Sequence, residues 1–391
     1  MKSKFPTRIA ASLLLMTSAC TPASSGGEKA GPATDGRNGT GGVAATGGAP
    51  AMAAPGTGGA SSTGGASGTG GAAMAATGTG GAAASGTGGA SSMDAATPPA
   101  SDTPPATESG DTPPDRPLAV DTSKPQVFTF KFKPSEADPA ASKRDEVQTA
   151  MLDTGVKPRG KLVVTLSGVG GGPGPLNLVS FAAGLGFHAF AVAYENSINP
   201  SGQNDPKFFG NMRYEQFDGM DRTPALTVTR PDCVEVRVAK ALAYLQAKNP
   251  AGDWSFYLDR MGQVRWSDVV FIGHSHGASS AAAYGKLRRI WRAISLAGPR
   301  DTRPVTATWF TDPSATPIDR FYAFTGAADD QHGDHIKAMD TMNYLGTLTD
   351  VAGGSPPFGG THRLKSDGGH GDPADCDGKH REVCKYMLGV Q

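Results

Sequence analysis

The chain has 391 residues, with 36 basic and 36 acidic side chains and a formal net charge of zero. No basic stripe interleaved with aromatic residues occurs, which argues against nucleic acid or an acidic membrane surface as a partner. Length alone would suggest two or three domains, but the composition is too uneven for that estimate.

The amino terminus, MKSKFPTRIAASLLLMTSAC, places Lys2, Lys4 and Arg8 before an apolar run from Ile9 to Met16, then small residues ending at Cys20. This is the layout of an export signal, and it is too short to span a membrane. It resembles bacterial lipoprotein signals, which implies lipidation of Cys20 and a membrane partner through that lipid anchor only. Thr17 stands where such signals usually carry Leu or Val, so ordinary cleavage near Ala19 is the alternative. From Thr21 to Pro117 the chain repeats TGGA-like units and then turns Pro-rich, without one aromatic residue. Such a segment buries too little apolar surface to offset chain entropy and reads as a disordered tether, not a stacked repeat. An anchored, glycine-tethered layout resembles that of myxobacterial envelope proteins. The expected organisation is therefore a signal over 1–20, a linker over 21–117 and one folded domain over 118–391. The expected location is the cell envelope, at the outer membrane, with secretion as the alternative.

In the folded part, short apolar runs alternate with helical periodicity, which predicts an α/β domain with a mostly parallel sheet and helices on both faces. Strands are expected over 126–132, 161–166, 187–194, 268–273, 292–298, 320–326 and 361–366. The glycine-rich run SGVGGGPGP follows the second of these directly. A polar stretch from Glu195 to Asp232 reads as a surface insertion that shapes a pocket, with the loop from Asp350 to Gly360. Val234, Val238, Ala241, Leu242 and Leu245 share one helical face. Further helices are expected over 277–290, 334–346 and 379–388. Export makes a disulfide plausible for Cys376 and Cys384, close enough in sequence to pair across a loop into a helix. Three free thiols, with Cys233, are the alternative.

Between the strand DVVFIG and an Ala/Ser-rich helix lies Gly273-His274-Ser275-His276-Gly277, a G-x-S-x-G in the strand-turn-helix context that pushes a serine hydroxyl above a sheet edge. On these residues the chain resembles the α/β-hydrolase fold family from about residue 126 to its end. The resemblance implies Ser275 as nucleophile, an acid after the second strand beyond it, and a histidine after the last strand. Asp329, with Asp330 as the competing choice, and His370 hold those places; His362 reads as a packed strand residue. It also implies oxyanion donors at the backbone N–H of His276 and, by family position, of Val169, with Gly170 next. The glycine loop lacks a P-loop's Lys-Ser/Thr ending, so nucleotide binding is not expected. No cofactor and no metal are expected, although His332, Asp334 and His335 lie close together in sequence. The implied activity is cleavage of a small-molecule or lipid ester through an acyl-enzyme. The competing reading is a catalytically silent α/β-hydrolase-like domain that binds an envelope partner.

Overall fold

The computed structural model describes residues 116–200 and 202–390, all within one compact unit that spans Ala95–Gln391. The expected signal, Cys20 and nearly all of the expected linker lie outside the described residues. Nine strands are described: β1 Val127–Phe132, β2 Gln148–Asp153, β3 Leu162–Leu166, β4 His188–Ala191, β5 Val269–His274, β6 Arg292–Leu296, β7 Phe321–Gly326, β8 Thr349–Asp350 and β9 Arg363–Ser366. They form one sheet in the order β1-β2-β4-β3-β5-β6-β7-β9-β8. β2 runs against both of its neighbours, and every other pairing from β4 to β8 is parallel.

Parallel strands covered on both faces read as continuous apolar runs, and β3 and β5 through β7 do so. Successive side chains alternate between faces. Leu162, Val164 and Leu166 of β3 join one core with Val234, Val238, Leu242 and Leu245 of α4 (Val234–Lys248) and Ala281 and Tyr284 of α5 (His276–Leu287). Val163 points the other way, into a core with α2 (Leu176–Gly184) and α7 (Arg381–Met387). α4 carries Glu235 in its first turn and Lys248 in its last, the charges that suit the helix dipole. α1 (Pro134–Ala137) is a single turn, and α6 is His332–Thr341.

One expectation is overturned. The stretch 195–232 is not a surface insertion: it contains α3 (Phe208–Asp218), in which Phe209, Met212, Arg213, Glu215, Gln216 and Phe217 are buried. Its polar residues go inside because each finds partners there. Glu215 accepts the backbone N–H groups of Arg222, Thr223 and Val228, while Arg213 forms a two-pronged ion pair with Asp301. Two strands and two helices had no expectation at all: β2, β8, α1 and α2.

Candidate active site

Ser275 sits at the carboxyl end of β5 as the residue that caps α5, with φ 58° and ψ −119°. A non-glycine residue held at positive φ is strained, and the neighbours show what holds it. Its N–H donates to the Leu296 carbonyl of β6 at 2.9 Å, and its carbonyl accepts from Ala278 N–H at 2.9 Å. A side chain on Gly273 would lie 2.0 Å from the Gly277 carbonyl oxygen, and one on Gly277 would lie 2.2 Å from that of Leu166. Both glycines of the motif are thus demanded by close backbone approach.

Asp329 follows β7, is buried, and accepts the Nδ1–H of His370 at Oδ2 across 2.7 Å. Adjacent Asp330 is exposed, so of the two carboxylates Asp329 is the one that meets the imidazole. Burial alone would raise the Asp329 pKa; the Gln331 N–H and His370 outweigh it and hold the carboxyl below its ordinary value. With Nδ1 donating to a carboxylate, the lone pair of a neutral His370 lies on Nε2, and the ring keeps some exposure.

His274 supplies a link between the elbow and the histidine loop. Its Nε2–H donates to the His370 carbonyl at 3.0 Å, and burial lowers its pKa, which favours the neutral form. The far side of the same loop is fixed by Asp372, which accepts from Ser366 Oγ at 2.5 Å and from His380 Nε2 at 2.6 Å. The disulfide Cys376–Cys384 closes the chain immediately beyond it. Cys233 is a buried free thiol whose pKa burial pushes up to about 11.

The glycine loop after β3 is shaped by a residue that its sequence did not advertise. Buried Asn196 donates through Nδ2 to Ser167 Oγ, the Gly168 carbonyl and the Gly171 carbonyl, at 2.9, 2.7 and 3.1 Å. Its own carbonyl accepts the Gly170 N–H at 2.9 Å. That bond occupies the Gly170 N–H, and Val169 beside it is half exposed. A side chain on Gly168 would lie 3.4 Å from Ser275 Cβ, so the loop passes directly over the serine.

His276 is buried, with Nε2 3.5 Å from both Arg213 Nη1 and Gln216 Nε2. Two donors at that nitrogen mark it as the acceptor, and burial beside the Arg213 cation holds the ring's pKa well below its ordinary value. His335 is buried too, 2.8 Å from Thr325 Oγ1 and 3.9 Å from Asp329. Among the described residues no group of three or more His, Cys, Asp or Glu side chains is gathered as a metal would require. His362 packs flat on Tyr322, with centroids 3.9 Å apart, and reaches the Phe321 carbonyl, away from this cluster.

The strand order, with its single antiparallel strand next to β1 and a serine elbow after β5, defines an α/β-hydrolase fold. No protein-family model and no curated protein matches the chain. Among solved structures it is similar to FphF of Staphylococcus aureus, described as a fluorophosphonate-binding serine hydrolase, at 12% identity over 68% of this chain and 98% of that one, with TM-score 0.35. It is also similar to a bacterial heroin esterase, at 13% identity over 69% and 84% with TM-score 0.34. A third is the S-formylglutathione hydrolase of Staphylococcus aureus, at 11% over 69% and 99% with TM-score 0.34.

Proposed function

We propose that the protein is a serine hydrolase that cleaves carboxylic esters through an acyl-enzyme on Ser275. One observation carries this reading: a buried carboxylate, Asp329, holds the Nδ1–H of His370, on a loop whose backbone is bonded to the residue before Ser275. A serine hydroxyl is a weak nucleophile and needs a neutral imidazole to take its proton. Nε2 of His370 does so as Ser275 Oγ bonds to the acyl carbon, and Asp329 stabilises the imidazolium that results.

The tetrahedral intermediate places negative charge on the former carbonyl oxygen. His276 N–H, one of the unpaired donors at the start of α5, meets that charge together with Val169 N–H; the positive end of the helix adds to their effect. The imidazolium then gives its proton to the alkoxy group as the acyl carbon–oxygen bond breaks. Water, deprotonated by the same nitrogen, attacks the acyl-enzyme, and the carboxylic acid leaves with Ser275 restored. Export, lipidation at Cys20 and attachment to the outer membrane belong to the same proposal and rest on the amino-terminal sequence.

The test is Ser275→Ala in the full-length protein. Turnover of a short-chain 4-nitrophenyl ester should fall by about three orders of magnitude or more, with circular dichroism unchanged. A fluorophosphonate probe should label Ser275 in the parent and label neither Ser275→Ala nor His370→Ala. Hydrolysis that survives Ser275→Ala would overturn the proposal.

A further inference from the structure

From the edge that carries Ser275 we infer that the preferred ester bears a carboxylate, received by Arg300 and Arg303; the inference rests on the hydrolase reading above. β5 and β6 are parallel neighbours, with His274 opposite Leu296, so the segment leaving β6 emerges beside the serine. A side chain on Gly298 would come within 3.5 Å of the Ser275 carbonyl oxygen. Two residues on, the Arg300 N–H donates to Ser279 Oγ at 2.9 Å, one turn of α5 beyond Ser275. Arg300, Asp301 and Arg303, with Pro200 and Phe209, line a shallow surface hollow that opens to solvent.

The charges of this pocket do not balance. Asp301 is already satisfied, since Arg213 Nε and Nη2 each reach it at 2.6 Å and Trp309 Nε1 at 2.9 Å. Arg300 and Arg303 instead face the single carboxylate of Asp334, at the start of α6. Arg303 is in direct contact with it, and Arg300 Nε is 3.8 Å away. Thr302 Oγ1 donates to the other oxygen of Asp334 at 2.9 Å. Two guanidiniums on one carboxylate leave an excess of one positive charge. Both side chains keep exposure, 32% for Arg300 and 54% for Arg303, whereas that of Asp334 has only 10%.

A planar guanidinium presents paired donors that match a carboxylate, and the excess of one charge suits a monoanion. Pro200 and Phe209 supply apolar wall for the carbon chain that joins this carboxylate to the ester.

Two pairs of substrates on full-length protein test the inference: 4-nitrophenyl hemisuccinate against 4-nitrophenyl butyrate, and 4-carboxyphenyl butyrate against phenyl butyrate. In at least one pair the carboxylated ester should win by tenfold or more in kcat/KM. Arg300→Gln and Arg303→Gln should each reduce that ratio several-fold, chiefly through KM, and Arg303→Lys should retain part of it. No preference in either pair, or a preference that survives the double variant Arg300→Gln/Arg303→Gln, would overturn the inference. Fluorophosphonate labelling separates the two readings. Labelling of Ser275 without carboxylate preference removes this inference alone, while absent labelling together with absent turnover removes both.

Discussion

Asp329 and Asp330 stand side by side in the chain, yet one is buried against His370 and the other faces solvent. Adjacent residues point to different sides, so the pattern names the pair and only the turn after β7 chooses between them. Asp329→Asn should lower kcat by about three to four orders of magnitude, because an amide cannot hold the donating Nδ1–H tautomer. Asp330→Asn should stay within about twofold, and steady-state rates of the two variants on one ester decide the matter. At the same scale Asn196 binds three groups of the glycine loop, a role invisible in its sequence neighbourhood because its partners lie 25 to 29 residues back.

The elbow was legible as an element because every constraint on it is local. Strand, small neighbours and helix occupy consecutive positions from Val269 to Leu287, and Gly277 is fixed by contact with the Leu166 carbonyl of β3. Gly277→Ala should push β3 from α5, lowering the melting temperature by about 5 °C or more in a thermal scan and abolishing ester turnover. α3 was not legible, since the pairing of Arg213 with Asp301 spans 88 residues and turns a polar string into a buried helix. β2 escaped for a related reason. Its Gln148 and Thr149 look like loop residues, but Gln148 is buried and its side-chain oxygen accepts the Ala193 N–H at 3.0 Å. In α2 only Asn177 and Ser180 mark the exposed face with polar side chains, too few over nine residues to show a helical period in the sequence.

Across the whole molecule, buried histidines tie stability to pH. Tyr257 O–H donates to Nδ1 of His188, and the Nε2–H of His188 donates to the Gly252 carbonyl, at 2.8 and 2.7 Å. Burial brings the His188 pKa down to about 4, with the Gly252 bond opposing; burial also brings His335 to about 4. Between the ordinary histidine value near 6.5 and about 4, the unfolded chain takes up protons that the folded one refuses. Stability is therefore full above that window and declines as pH falls through it, by a few kcal/mol in total. Denaturant midpoints measured from pH 7 to pH 4 should record the decline. His188→Leu should be less stable at pH 7, through the stranded Tyr257 and Gly252 groups, but should show a shallower dependence on pH.

The first described residue, Arg116, grips the carboxylate of Asp253, which also accepts the Ala119 N–H at 2.7 Å. Asp253 adjoins Gly252, the partner of His188 at the amino end of β4, whereas Ser275 lies past the carboxyl end of β5. The chain thus joins the sheet at its floor, with the serine at its rim. A mechanical load applied at Arg116 would therefore fall on its clasp with Asp253, at the opposite end of the strands from the elbow, before it reached Ser275.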